Sequence, residues 1–220
     1  MHQSLEQFAI IKHLGLRDYA EVQNEMQQFN AQRDENTADE IWFVEHPAVF
    51  TLGTNSKPEH LLNPDNIPVV QSDRGGQVTY HAPGQLIAYV LIDVKRKKMG
   101  VRKLVNALEA AIIKLLAKHG IEGTADPKAP GVYVAEEKIA ALGLRVKQGG
   151  CYHGLSLNVD MDLSNFNRIN PCGYPGLQVT SMKKLGVPIG IQQVTWKLMN
   201  ELCMQLNIVN IKEQKADILD

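Results

Sequence analysis

The sequence has few cysteines, almost no net charge and no long apolar run. Its three cysteines are an odd and sparse set, which argues against a disulfide framework and is typical of free thiols in a reducing compartment. A net charge of −1 gives no field that would draw the chain to nucleic acid or to a membrane, so we expect neither as a partner. The apolar runs are far shorter than a bilayer span, and the first six residues lack the pattern of a signal peptide. We expect a cytoplasmic protein.

Metal-binding and domain-dividing patterns are also missing. The seven histidines show no metal-ligand spacing and no paired-cysteine motif occurs, so no metal is expected. The chain has no repeat, no low-complexity stretch and no linker, which predicts a single domain over residues 1–220.

Predicted helices lie towards the two ends of the chain and predicted strands dominate its middle. The segment 86–94 is nearly continuously apolar, as expected of a central strand buried on both faces. We therefore expect an α+β fold, with a mixed sheet of the α/β type flanked by helices. The predicted helices are 18–34 (capped by Asp18), 101–119 and about 192–207, with Trp196, Met199, Cys203 and Leu206 on one face of the last; the predicted strands are 41–45, 49–53 (continuing or pairing with the preceding strand), one from Val69, 86–94, 131–135, 138–147 and 151–161.

One cysteine has a setting that a packing role does not explain. Cys172 lies in the segment Asn170–Gly176, where two prolines and two glycines exclude both a helix interior and a central strand. The thiol is therefore expected on a turn near the surface, which is typical of a reactive cysteine. Cys203 is interpreted as core, and Cys151 begins a strand without a turn to present it.

Lys138 opens a predicted strand and admits two interpretations. Strict alternation places it on the apolar side, with Ala140, Leu142 and Leu144. The residues alone favour a lysine whose stem covers apolar surface while its ammonium reaches water. The alternative is a partly desolvated ammonium that stabilises a thiolate or exchanges a proton with it.

The densest motif is Arg74–Gln85, in which an Arg-Gly-Gly segment allows close backbone approach to a ligand. It is neither a Walker A loop nor a dinucleotide fingerprint, because the required Gly-Lys-Ser/Thr and glycine spacing are absent. His81 within it is open to three roles: a general base, an orienting donor, or a satisfied histidine in a turn. His153 shares a predicted strand face with Leu155 and is interpreted as structural. The basic run 95–98 is either a solvated loop or a docking patch for an acidic partner.

Together these residues resemble the lipoyl(octanoyl) transferase family, whose members move an octanoyl group from acyl carrier protein to lipoyl domains. The first family motif, from Arg-Gly-Gly to a Tyr, is matched by Arg74–Tyr89. The lysine followed by Leu-Gly is matched at Lys138 and 141–143, the His-Gly-Leu…Leu-Asn-Val motif at 153–159, and Asn-Pro-Cys-Gly at 170–173.

The resemblance implies a fold, a mechanism and partners. The fold is the catalytic domain of biotin and lipoate protein ligases. An acyl-enzyme thioester forms on Cys172, and Lys138 lowers the pKa of that thiol. The implied donor is octanoyl-acyl carrier protein, the acceptors are lipoyl domains of 2-oxoacid dehydrogenase complexes and the glycine cleavage H protein, and no cofactor is needed because the donor thioester is already activated. The implied substrate-binding residues are Arg74, Gly75, Gly76, Gln77, Val78, Thr79, Tyr80, His81, Ala141, Leu142, Gly143, Gly154, Leu155 and Ser156.

Two rival functions stay open on the sequence. One is an ATP-dependent lipoate or biotin ligase on the same fold, which would need no cysteine nucleophile. The other is a binding module without turnover, in which Cys172 has no chemical role.

Overall fold

The computed structural model describes residues 5–215 and contains two sheets and three α-helices. None of the helices in that range is both long and apolar enough to cross a membrane. The helices are α1 (Tyr19–Gln32), α2 (Val101–Ala117) and α3 (Ile191–Gln205), and the strands are β1 (Phe8–Leu16), β2 (Asp39–Glu45), β3 (Val49–Leu52), β4 (Val69–Gln71), β5 (Val78–His81), β6 (Gln85–Asp93), β7 (Thr124–Ala125), β8 (Gly131–Val134), β9 (Glu137–Lys147), β10 (Gly150–Asn158) and β11 (Asn210–Lys215).

The larger sheet is mixed, as predicted. Its eight strands follow the order β11-β1-β2-β6-β10-β9-β8-β7. The pairs β1–β11 and β1–β2 are parallel, and every pairing from β2 onwards is antiparallel. The smaller sheet has the order β4-β3-β5. The buried run in β6 lies near the centre of the larger sheet, which confirms the prediction of a central strand.

Alternating strand residues bury the two faces of the larger sheet against different helices. Phe43 and Ala88 pack in a cluster with the apolar stripes of α2 and α3. Their chain neighbours Trp42 and Tyr89 pack with α1 instead. The period of two along each strand therefore produces a three-layer arrangement of helices, sheet and helix.

Several predicted elements need correction. Strand β3 does not continue or pair with β2; it lies between β4 and β5 in the smaller sheet. Neither β1 nor β11, the parallel pair at one edge of the larger sheet, was predicted. Trp196 is 49% exposed, because α3 turns a stripe through Val194, Leu198 and Leu202 towards the core instead. The cap of α1 is as predicted: the Asp18 carboxylate accepts from the N–H groups of Ala20 and Glu21.

Candidate active site

Cys172 lies on a tight turn, as the sequence predicts. The turn Pro171–Gly173 holds Cys172 in the left-handed region, with φ 56° and ψ 17°. The N–H of Asn170 donates to the carbonyl of His60 at 2.8 Å, which ties the turn to the short 3-10 helix Pro58–His60. The thiol is half-buried, because the turn packs closely on its neighbours rather than projecting into solvent.

The chain that follows the turn brings Cys172 to Lys138. The N–H of Lys138 donates to the carbonyl of Gln178 at 2.9 Å, and the N–H of Thr180 donates to the carbonyl of Lys138 at 3.0 Å. Residues 178–180 thus run alongside the start of β9. In this arrangement the Lys138 ammonium lies 2.8 Å from the Cys172 sulfur.

A β-bulge directs Lys138 to the side of Cys172. Pairing of β8 with β9 shifts register after Val132, so that both Ile139 and Ala140 face the core beneath α2 and α3. Lys138 consequently lies on the opposite side, where it lines a small gap with Cys172 and Ala141. The prediction that Lys138 shares the apolar side with Ala140 is therefore wrong, because strict alternation does not hold across the bulge.

Buried surroundings hold the Lys138 ammonium in place. Its side chain is only 4% exposed, and Nζ donates to the carbonyl of Pro130 at 3.3 Å and lies 5.2 Å from the centre of the Tyr133 ring. Burial by itself lowers the pKa of Lys138, but Cys172 and, to a smaller extent, Tyr133 raise it, and the net pKa is raised. The 2.8 Å contact therefore places an ammonium where it can stabilise a thiolate.

The other two cysteines are embedded in apolar surroundings. Cys151 is buried in the main core, where burial raises its thiol pKa to about 12. Cys203 packs against the same core, and burial raises its pKa to about 11. Both stay protonated near neutral pH and are poor nucleophiles.

A cavity of about 370 Å³ opens beside Cys172. Its walls come from α1, the loop before β5, β5 itself, β6, the start of α2, the loop before β8, the facing stretches of β9 and β10, and the cysteine turn. The small residues Ala141, Gly143 and Gly154 keep the strand walls thin, and at Gly154 a Cβ atom would lie 2.0 Å from the carbonyl oxygen of Ala88. The predicted substrate-binding residues that line the cavity are Arg74, Gly75, Gly76, Gln77, Val78, Thr79, His81, Ala141, Leu142, Gly143, Gly154, Leu155 and Ser156.

Tyr80 is the predicted substrate-binding residue that the structure does not bring to this cavity. Because neighbours on β5 point to opposite sides, its ring packs between Phe50 and Phe166, with centroid distances of 5.1 Å and 5.5 Å. Its hydroxyl accepts from the amide of Asn165 at 3.0 Å. This position fits a packing role.

Arg74 places a buried positive charge at the cavity wall. Its guanidinium donates to the hydroxyl and the carbonyl oxygen of Thr51 at 2.8 Å and 2.7 Å, and to the carbonyl of Gly75 at 3.0 Å. Within residues 5–215 no carboxylate forms an ion pair with it, and burial lowers its pKa. Neutral oxygens alone therefore hold this cation.

His81 lies in a buried polar cluster beneath the cavity. One ring nitrogen lies 2.6 Å from the side-chain oxygen of Gln85, and the other lies 3.4 Å from the hydroxyl of Thr51. Burial, followed by the neighbouring His46, lowers the pKa of His81 to about 3. The ring is neutral near pH 7 and a weak base, so the arrangement favours an orienting role over general-base catalysis.

His153 departs from the strand pattern expected of it. Its φ of 61° is unusual for a strand residue, and the pairing of β10 with β6 skips this position. The ring lines the cavity and its Nε2 lies 2.8 Å from a carboxylate oxygen of Asp73, to which Tyr152 also donates. Its ring packs against Tyr89 and Tyr152 of the cluster beneath α1, whereas Leu155 belongs to the main core, so the predicted shared side is wrong. His153 instead contacts Asp73, the residue that precedes Arg74.

Residues 18–203 match the model of the family described as lipoyl protein ligase A/B catalytic domain. The chain belongs to this family. An octanoyltransferase from Shewanella loihica is 52% identical over 206 residues, which cover 94% of each chain.

Solved structures of this ligase family and of a biotin ligase share the fold. Lipoate-protein ligase A bound with ATP superposes with a TM-score of 0.80 at 15% identity, covering 96% of this chain and 90% of that one. A biotin protein ligase from Aquifex aeolicus gives a TM-score of 0.56 at 11% identity, covering 90% and 70%. The predicted biotin/lipoate protein ligase-like fold is confirmed.

The basic run of this family member is partly engaged within the protein. Arg96 lies 2.6 Å from the fully buried carboxylate of Asp39, and Lys97 donates to the carbonyl of Leu206 at 3.2 Å. Only Lys95 and Lys98 are exposed. Two of the four basic residues therefore belong to an internal ion cluster. Only the other two remain exposed and could contribute to a docking surface.

Three backbone N–H groups near the thiol are already used. Those of Gly173 and Tyr174 donate to carbonyls within the cysteine turn, and that of Gly75 donates to Leu144. They do not remain free to bind an oxyanion. Across residues 5–215, no three His, Cys, Asp or Glu side chains are grouped so that they could hold a metal ion.

Some cavity residues were missed by sequence reasoning. Tyr19 and Tyr89 line it from α1 and β6, and Tyr174 lies at its edge, 48% exposed. The hydroxyl of Tyr19 donates to Ser72 at 2.8 Å. The sequence around a buried tyrosine does not mark it as a cavity residue, because the segments that form the cavity come together only in the folded protein.

Proposed function

We propose that this chain is an octanoyltransferase that acts as a single catalytic domain. It moves an octanoyl group from octanoyl-acyl carrier protein, through a thioester on Cys172, to the target lysine of lipoyl domains. The acceptors are the lipoyl domains of 2-oxoacid dehydrogenase complexes and the glycine cleavage H protein. The observation that carries the proposal is the 2.8 Å contact between Lys138 and Cys172 beside the cavity. The octanoyltransferase name of a relative with 52% identity supports the choice of acyl group.

The first half-reaction transfers the acyl group to the enzyme. The Cys172 thiolate attacks the donor carbonyl, a new C–S bond forms, and the bond to the carrier thiol breaks. Lys138 gives a proton to the departing thiolate and becomes a neutral amine. Once Cys172 carries the acyl group, its thiolate no longer raises the pKa of Lys138, and burial then favours loss of the proton.

The second half-reaction transfers the acyl group to the acceptor. The lipoyl-domain lysine attacks the thioester as a free amine, the C–N bond forms, and the bond to Cys172 breaks. Lys138 accepts the proton that the amine loses, which restores the ammonium–thiolate pair. The cycle is balanced without ATP.

The cavity suits the acyl chain. Its volume of about 370 Å³ is in the range of small-molecule sites, and its walls carry Val78, Leu142 and Leu155 beside the glycines. Its apolar walls also limit the access of water to the thioester, which water would otherwise hydrolyse.

Intact-mass spectrometry after incubation with octanoyl-acyl carrier protein tests the proposal. We expect one octanoyl group that is labile to hydroxylamine and maps to Cys172. Addition of a lipoyl domain should then give the amide without nucleotide. Cys172→Ser should lose both reactions, and the control Cys203→Ser should retain them. Amide formation that requires ATP would instead support the ligase, and an acyl group on another residue would overturn the assignment of the nucleophile.

A further inference from the structure

Glu109 is a buried carboxylate that the proposed chemistry does not use. It lies on the inner side of α2 and is 7% exposed. Within residues 5–215 it forms no ion pair. Its Oε1 atom accepts a hydrogen bond of 2.9 Å from the N–H of Gly131. Burying a carboxylate without an opposite charge costs free energy, which its hydrogen bonds offset only in part. A buried carboxylate at such a position is therefore a candidate for a specific structural task.

The N–H that Glu109 binds belongs to the same peptide group as a carbonyl that binds Lys138. The peptide joining Pro130 to Gly131 is planar, so its N–H and its C=O point in opposite directions. Glu109 holds the N–H, and the Pro130 carbonyl accepts from the Lys138 ammonium at 3.3 Å. Fixing one end of this peptide therefore fixes the direction of the other.

We propose that Glu109 is a positioning residue for the Lys138 ammonium, acting through the Pro130–Gly131 peptide. The proposal rests on the proposed function of Lys138 and Cys172. The carboxylate, the peptide and the ammonium form one hydrogen-bonded row, in which each group polarises the next. The Pro130 carbonyl contacts the ammonium at 3.3 Å and thereby holds it next to the Cys172 sulfur. The Tyr133 ring contacts the ammonium on another side.

Two substitutions separate hydrogen bonding from charge. Glu109→Gln keeps a carbonyl oxygen at the same reach but loses the charge. Glu109→Asp keeps the charge but is one methylene too short to reach the Gly131 N–H. The readout is the alkylation rate of Cys172 by iodoacetamide at pH 7, followed by mass mapping of the full-length protein. We expect Glu109→Gln to stay within about twofold of the wild type and Glu109→Asp to be slower by about threefold to tenfold.

A second comparison shows whether the effect passes through Lys138. In a Lys138→Ala background, Glu109→Asp should cause no further slowing, because the group it positions is gone. The matched control is Glu201→Asp, a buried carboxylate on α3 that pairs with Lys118; it should leave the Cys172 rate unchanged. Equal rates for the wild type and Glu109→Asp, or equal slowing with and without Lys138, would overturn the proposal. Alkylation needs no acyl donor, so failure of the acyl-transfer function would appear separately, as transfer that persists in Cys172→Ser.

Discussion

Lys138 passes so close to Gly131 that a Cβ atom added to Gly131 would lie 2.5 Å from the Lys138 Cε atom. The same Cβ would lie 2.8 Å from the carbonyl oxygen of Ala140, and the φ of Gly131 is +149°. The path of the lysine side chain therefore exists only because residue 131 has no side chain.

Gly131→Ala should displace the Lys138 ammonium from the thiol. Because a shift of about 1 Å at a reacting group can reduce a rate by roughly a hundredfold, we expect a loss of that order in octanoyl transfer. Steady-state transfer to a lipoyl domain measures it. Gly190→Ala, where an added Cβ meets nothing within 4 Å, is the control and should keep its activity. Full activity in Gly131→Ala would show that the lysine is not needed at its observed position.

Lys138→Met should slow alkylation of Cys172 at neutral pH by at least about tenfold, because the adjacent ammonium no longer stabilises the thiolate. The measurement is the alkylation rate between pH 6 and 9. At high pH, where any thiol ionises, the variant should approach the wild type. Lys183→Met, which removes an exposed lysine paired with Asp160, is the control. Identical pH profiles for Lys138→Met and the wild type would remove this role from Lys138.

Thr51→Val should destabilise the fold by about 1–3 kcal/mol, because it removes a hydroxyl that accepts from the buried Arg74 guanidinium and leaves that charge under-satisfied. Urea denaturation at pH 7 measures the loss. Thr195→Val is a suitable control, since the hydroxyl of Thr195 only donates to a carbonyl of its own helix. A similar loss in both variants would mean that Arg74 does not depend on Thr51.

Stability should fall as the pH is lowered from about 6.5 towards 5. Burial lowers the pKa of His46 to about 4 and that of His81 to about 3 in the folded protein. The unfolded chain binds protons on these histidines below about pH 6.5 while the folded chain does not, so the free energy of unfolding decreases with falling pH. The limiting slope is about 1.4 kcal/mol per pH unit for each histidine.

Urea denaturation at pH 7 and pH 5 measures this dependence. His46→Gln should weaken it, because one of the two titrating groups is gone. A variant whose stability has the same pH dependence as the wild type would show that His46 takes up its proton in the folded state.

The residues alone predicted the turn and the central strand, because these depend on local chemistry, whereas the pairing of Lys138 with Cys172 came from the family resemblance. Proline and glycine around Cys172 exclude regular structure whatever the rest of the chain does. The buried run of β6 and the apolar stripe of α2 follow directly from periodicity.

Features that depend on distant contacts were not predictable in this way. Strand β11 is a polar edge strand whose partner β1 lies at the other end of the chain, so no local pattern marks it. The side on which Lys138 lies depends on a register shift against β8, and that of His153 on a left-handed backbone at a non-glycine residue. The roles of Asp73 and Glu109 follow only from the groups that they bind in the folded protein, His153 and the Gly131 N–H.

The bulge between Val132 and Lys138 has a consequence for redesign and for divergence within the family. The extra residue is Ile139, which joins Ala140 in the core while Lys138 stays on the other side. Deleting Ile139 would make Lys138 and Ala140 direct neighbours, so regular alternation would leave the ammonium on the side of Cys172. Placing the segment Lys138–Ala140 unchanged on a strand without a bulge would instead turn the lysine to the apolar side. Relatives could therefore differ by one residue at this point and still keep the ammonium beside the thiol.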